Sequence, residues 1–432
     1  MTTGNRTSAR LGDFIRVKHG YAFKGQFFSD SGSHIVLTPG NFFDAGGFRT
    51  RGEKDKRYVG PIPSEYVLQR GDLIVVMTEQ AEGLLGSAAI VPEDNLYLHN
   101  QRLGLVEELR PGTVDPRFLY YLFNSTSVRK QIRATANGAK VRHTSPGRIC
   151  DVEISLPPVQ VQRKIASILS AYDDLIENNL RRIKLLEEMA QSLYKEWFVD
   201  FRFPGHENVR MVDSPLGMIP EGWETRRVGD LATISRGRSY SSENLVEAGG
   251  LPFVNLKCID RDGGFRRGGL KWFSGPVKEQ HVVRRGDIVM AVTDMTQERR
   301  IVARAARVPD VGEAGGVMSM DLVKLVPCQV PGSYLYYLLR CSRFPDEVKN
   351  HATGVNVLHL NPDRIADFEV PIPSADLMEV FSAIADDALS QQETLETQSG
   401  CLRQTRDLLL PKLISGEIDV SDLDIDIGED AA

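Results

Sequence analysis

Between Val159 and Phe203 the chain contains neither glycine nor proline, and its apolar positions keep an alternating spacing of four and three. Ile165, Leu169, Tyr172, Ile176, Ile183, Leu186, Ala190, Leu193 and Trp197 follow that rhythm, with Asn179 as its one polar member. A stripe of this period is the seam of a coiled coil. At 1.5 Å per residue the steps from Ile165 to Trp197 span about 48 Å, and one helix of that length cannot bury its own stripe. A second pattern supplies a partner, since Phe381, Ala388, Leu395, Leu402 and Leu409 recur every seven residues. Its intermediate positions are poorer (Ala385, Gln392, Ser399, Arg406), and Gly400 costs about 1 kcal/mol of helix propensity. The spacing predicts two long helices packed on each other, with homodimerisation through the first helix as the competing reading. An antiparallel pair lets the globular region that precedes each helix sit at its own end.

Elsewhere the pattern is short. The runs SHIVLTP, DLIVVMT, LPFVNLK and DIVMAVT, bounded by glycine turns, read as strands, while PRFLYYLFNS and PGSYLYYLLR read as brief helices. These elements occur twice. LGDFIRVKHGYAF at 11 returns as VGDLATISRGRSY at 228, and YVLQRGDLIVVMTE at 66 as HVVRRGDIVMAVTD at 281. DPRFLYYLF at 115 is answered by PGSYLYYLL at 331, and VEISLPPV at 152 by FEVPIPSA at 368, so all four blocks keep an offset of 215 to 217. Two copies this long are a duplicated domain and not a solenoid, whose units run to roughly 20–50 residues. The expected fold is α+β with a pseudo-twofold internal duplication: a first domain over 1–155, a long helix over 156–205, a second domain over 206–370, a second helix over 371–416, and an acidic tail over 417–432.

Composition adds less. The 432 residues are 41% hydrophobic and 25% charged, as in ordinary globular chains, with no apolar run long enough to cross a bilayer and no apolar leader, which leads to the expectation of a cytoplasmic protein without a membrane partner. Five widely spaced cysteines fit reduced, mostly buried thiols better than a disulfide framework or a zinc site. The net charge of −6 is concentrated at the end, where residues 417–432 hold seven acids and no base, leaving the remainder at +1 with basic clusters such as RTRGEKDKR and VRKQIRATANGAKVRH. The charge total is therefore a poor test of nucleic-acid binding.

No phosphate-binding glycine loop, dinucleotide fingerprint, HExxH or CxxC is present. Glu79 and Asp294 follow repeated strands, but no further ligand stands at metal-binding spacing, and they read as turn-stabilising or base-accepting acids. No catalytic residue, metal or cofactor is expected on this chain.

With GYAFKGQFF (20–28), RGDLIVVMT (70–78), GAKVRHTSPGRICDVEISLPPVQVQRKIASIL (138–169) and WFVDFRFPG (197–205) set in a duplicated chain, the sequence resembles the specificity subunit of Type I restriction-modification systems over essentially its whole length. The second copy departs locally, with Ser374 in place of Pro158 and Met378 in place of Gln162, while LLLPKLISGEI (408–418) resembles the usual end of the second helix. The resemblance implies two target-recognition domains that each read half of a bipartite site on double-stranded DNA, with the helices setting the distance between halves. It implies partners too: two modification (methyltransferase) subunits, and restriction/translocase subunits. S-adenosylmethionine, ATP and Mg are expected on those partners. A coiled-coil interaction scaffold without DNA, and a self-sufficient DNA-modifying enzyme, are the competing readings.

Duplicated domains are expected to share a mode of docking on the DNA backbone while their base readers diverge. His143 and His359 share an offset of 216, and Lys140, Arg142 and Ser145 flank the first, placing candidate phosphate donors there; a histidine capping the next helix is the competing role. Near the domain starts, Lys18, Tyr21 and Lys24 in one copy and Arg236, Arg238 and Tyr240 in the other combine a glycine turn with cations and rings. Tyr21 and Phe23 also read as core residues. Arg267, in FRRGG, is a further candidate for phosphate or guanine.

Overall fold

Each half of the chain builds the same pair of sheets. The computed structural model describes residues 6–80, 82–109, 112–138 and 140–427. Ile15–His19, Leu103–Glu108, Leu73–Val76 and Ala88–Ile90 lie side by side in that order in one antiparallel sheet. Ala232–Arg236, Leu322–Pro327, Ile288–Ala291 and Ala305–Arg307 repeat it. Even the register agrees: Leu103 faces Val76, and Leu322 faces Ala291. A sheet of shorter strands, four in the first copy and five in the second, accompanies each and contains one parallel pair, His34–Val36 with Tyr97–Leu98 in the first copy and Leu251–Val254 with Gly316–Met318 in the second. Two-stranded closures finish the domains, Thr7–Arg10 on Glu153–Leu156 and Glu224–Arg227 on Glu369–Ile372. The central strands Leu73–Val76 and Ile288–Ala291 are buried along their whole length, which is why both read as unbroken apolar runs.

The chain divides into two units, Met1–Asn178 with Gln398–Ala432, and Asn179–Thr397. This differs from the five consecutive segments expected, because both long helices, Val159–Tyr194 and Ala375–Ser415, contribute to each unit. In the first unit Ile165 and Leu169 share a core with Leu413 and Ile414, and Asp173 pairs with Arg406. In the second, Ala190 shares a core with Ala385 and Ala388, and the Trp197 ring lies 6.3 Å from Phe381. Rising numbers on one helix meet falling numbers on the other, so within each unit the helices are antiparallel. Every expected seam position is buried or half-buried, including the polar Asn179, Gln392 and Ser399.

Two expectations need correction. The 417–427 portion of the expected acidic tail docks on the first unit: Val420 is buried, Ile418 and Ile425 pack beside it, and Lys164 Nζ donates to the Ser421 and Leu423 carbonyls at 2.7 Å. Its acids alternate with apolar residues, so one side of the segment has a core to join. Residues 428–432 lie outside the described residues. The five cysteines are free as expected, but Cys328 and Cys401 are exposed and only Cys258 is fully buried. Among the described residues no helix is long and apolar enough to cross a membrane.

Candidate nucleic-acid interface

The register of the longer-stranded sheet gathers the candidates. In the first unit, strand Ile15–His19 ends beside the start of Leu103–Glu108, which lies beside the end of Leu73–Val76. Three loops therefore leave one end of the sheet. Tyr21 N–H donates to the His99 carbonyl at 2.9 Å, and Gln101 N–H returns the bond to Tyr21 at 3.0 Å, stitching the first loop to the 99–102 turn. Gly20 is required there, since a Cβ at this position would stand 2.0 Å from the Asn100 carbonyl oxygen. Met77 N–H reaches the Arg102 carbonyl at 2.9 Å, which ties in the third loop, and Thr144 N–H reaches the Met77 carbonyl at 2.9 Å, which adds a fourth loop from outside the sheet. Its strand Arg142–His143 pairs with Thr78–Glu79, and His143 Nδ1 lies 3.0 Å from Thr78 Oγ1.

The second unit repeats the construction. Arg238 N–H donates to the Met318 carbonyl and Met320 N–H to the Arg238 carbonyl, each at 2.8 Å, while a Cβ on Gly237 would stand 2.1 Å from the Ser319 oxygen. Val292 N–H reaches Asp321 at 2.9 Å, Leu360 N–H reaches Val292 at 2.8 Å, and Leu358–His359 pairs with Thr293–Asp294. His143 and His359 each close their own loop by two backbone hydrogen bonds, with Asn137 and Thr353 respectively.

Glu79 and Asp294 hold the middle loops. Glu79 Oε2 accepts from Gly83 N–H at 3.2 Å and Leu85 N–H at 2.7 Å. Asp294 accepts from Ile301 and Val302 N–H through one oxygen and from Thr296 through the other. Desolvation acts to raise the Asp294 carboxyl, but these hydrogen bonds prevail and hold it below the usual carboxylate range. Both acids stabilise turns, one of the two roles the sequence offered. Beneath the first middle loop, Arg129 donates to the Asp44 and Gly83 carbonyls; burial and the neighbouring Arg133 push its guanidinium down to about 10.

The structure sorts the individual candidates. Lys24, Lys140, Arg236, His143 and His359 are exposed at these loops. Lys18 is turned aside, donating to the Glu65 carbonyl at 2.6 Å with its ammonium 4.8 Å from the Tyr66 ring centre. Tyr21 is half-buried among Phe23 and Tyr66, so the core role suggested for it and Phe23 is part of the answer. Arg238 lies over the Phe273 ring at 5.1 Å, and Tyr240 packs on Phe253. Arg142 donates to the Arg133 carbonyl at 2.8 Å and stands 3.8 Å from Glu79. Ser145, and not His143, caps the next helix, accepting from Arg148 N–H at 3.4 Å. Arg267 bonds the Asp310 carbonyl at 3.0 Å and Glu396 of the second long helix at 3.2 Å. Sequence reasoning also passed over exposed Gln80, Gln101, Arg102, Met295 and Met320, which the same register places on these loops. For Gln80 and Met295 the signal available was their position just beyond the repeated strands.

Among the described residues no three His, Cys, Asp or Glu side chains gather as a metal-binding group. What the geometry offers is a cationic, hydroxyl- and amide-bearing loop surface built twice on one scaffold. The model of the Type I restriction modification DNA specificity domain matches residues 5–188 and 220–399, one match in each copy. The chain belongs to this family. The Type I restriction enzyme MjaIX specificity subunit of Methanocaldococcus jannaschii is 26% identical over 313 residues, covering 71% of this chain and 70% of that one. The MjaVIII specificity subunit of the same organism is 23% identical over 387 residues, covering 85% and 84%. The HindI specificity subunit of Haemophilus influenzae is 21% identical over 384 residues, covering 73% and 80%. The crystal structure of a Type I restriction-modification S subunit from M. genitalium has the same fold, with a TM-score of 0.57 at 15% identity over 96% of this chain and 97% of that one. As a Type I specificity protein the chain is a DNA-recognition subunit, and its two matched segments contain the two loop surfaces described above.

Proposed function

We propose that each unit reads one half of a bipartite site on double-stranded DNA through the loop end of its longer-stranded sheet. The observation that carries this is the repetition itself: one backbone arrangement, stitched by the same hydrogen bonds around Tyr21 and Arg238, presents different side chains in the two copies. Shared backbone docking with divergent side chains is what two unlike half-sites require. The long helices set the distance between the halves. Two methyltransferase subunits assemble on the chain and bring S-adenosylmethionine, and restriction subunits bring ATP and Mg; the specificity chain contributes binding and no bond-breaking step.

The test uses the complex assembled with its methyltransferase subunits, whose site is found by sequencing methylated DNA. Lys24→Ala and Arg236→Ala are expected to weaken binding through different halves of the site. A lost phosphate contact lowers affinity for all sequences and reduces the salt slope by about one, whereas a lost base contact relaxes preference at one position. If neither substitution alters binding, the reading surface lies elsewhere. The pure chain, given DNA, divalent metal and S-adenosylmethionine, is expected to yield no cleaved or methylated product.

A further inference from the structure

The sheet registers align the two reading surfaces residue by residue. Thr78–Glu79 and Thr293–Asp294 are equivalent pairs, so Gln80 occupies the position of Met295. Leu103 and Leu322 are equivalent, and the bonds from Gln101 N–H to Tyr21 and from Met320 N–H to Arg238 match, so Gln101 occupies the position of Met320. Both glutamines are exposed, and so are both methionines, at 68% for Met295 and 47% for Met320. Two glutamines in one copy are thus two solvent-facing methionines in the other. The two side chains are close in length and shape, and differ in that one ends in an amide and the other in a thioether. Val355, on the neighbouring loop, is 89% exposed, and Gln297 Nε2 ties that loop to the Met295 loop through the Val355 carbonyl at 2.6 Å.

We infer that the second unit recognises thymine 5-methyl groups through Met295 and Met320, where the first unit presents the Gln80 and Gln101 amides to adenine edges. This rests on the reading that these loops face DNA. In the major groove an amide pairs with the N6 and N7 of adenine, while the methyl of thymine is the apolar feature a side chain without donors can select. Isolated exposed methionines at a solvent boundary have no packing role, and exposed Arg236 stands on the adjacent loop. A protein contact is the other use for such residues. Two copies of one partner docking on two copies of one domain would need the same chemistry at equivalent positions, and these positions are the ones where the copies differ.

The test again uses the assembled methylating complex on its own site, with each thymine replaced singly by deoxyuridine, which removes only the methyl. Affinity is expected to fall about fourfold, the worth of one buried methyl, at one or two thymines in the half affected by Arg236→Ala. A Met295→Gln, Met320→Gln double variant is expected to become indifferent to uracil there and to shift its preference toward adenine. An unchanged affinity at every deoxyuridine, a uracil effect that survives in the double variant, or a correctly folded double variant that no longer assembles with the methyltransferase subunits each overturns the assignment. The deoxyuridine scan needs no altered protein, so it stands even if the variant misfolds. A wild-type complex with no sequence preference would instead bring down the reading on which this one rests.

Discussion

His99 illustrates how one side chain supports a loop of the proposed DNA-facing surface without facing solvent. It is fully buried under the 99–102 turn, with Nε2 2.9 Å from the Leu103 carbonyl, so that nitrogen carries the proton, while Nδ1 is left without a partner. Burial is the main cause of its imidazole falling from 6.5 to about 4. Between those two values the unfolded chain holds a proton that the folded one does not, so stability falls as pH drops below 6.5, by roughly 1.4 kcal/mol per pH unit, until about pH 4. Urea unfolding of the first unit followed across that range should show this slope, and His99→Met, which copies buried Met318 of the other domain, should remove it. The histidines of the closing loops were legible as a repeated pair. Gln101 and Arg102 were not, because side chains that differ between copies leave no repeat to notice, and only the strand register locates them. The pairing of Arg267 was not legible either, since its partner Glu396 is 129 residues away.

At the scale of the element, the heptads were the most legible feature, since burial of a stripe fixes its period whatever the details of packing. The polar seam positions were harder to interpret. Arg406 looked like a weakness of the second helix, yet its partner Asp173 also accepts the Tyr121 hydroxyl at 2.7 Å, so the arginine joins helix to helix and, through that carboxylate, to the domain. Gln392 has no comparable role: its Nε2 is buried without a partner. Gly400 was expected to weaken the helix, and the helix runs through it unbroken. A Cβ built there meets nothing within 4 Å. Gly400→Ala should therefore stabilise the protein by about 0.4–1 kcal/mol, read as a raised thermal midpoint with DNA binding unchanged.

For the whole molecule, duplication was visible in the sequence, but the division into units was not, because linear boundaries cannot show a unit assembled from both ends of a chain. Truncation after Thr397 tests that division. It removes Leu413, Ile414 and Val420 from the core that contains Ile165 and Leu169, and it leaves Asn179–Thr397 entire. Hydrogen exchange should become fast over residues 159–172 while the central strand Ile288–Ala291 stays protected; the reverse pattern would refute the division. The same feature bears on synthesis. Domains ordinarily complete in the order in which the ribosome makes them, at about 5–20 residues per second. Here the unit begun first is finished last. Once Thr397 has been made, the second unit has all its residues, while the first waits roughly two to six seconds more for the segment ending at Ile427. Through that interval Ile165 and Leu169 lack their cover, so the nascent chain's period of greatest exposure to chaperones and to aggregation falls at its amino-terminal half, late in translation.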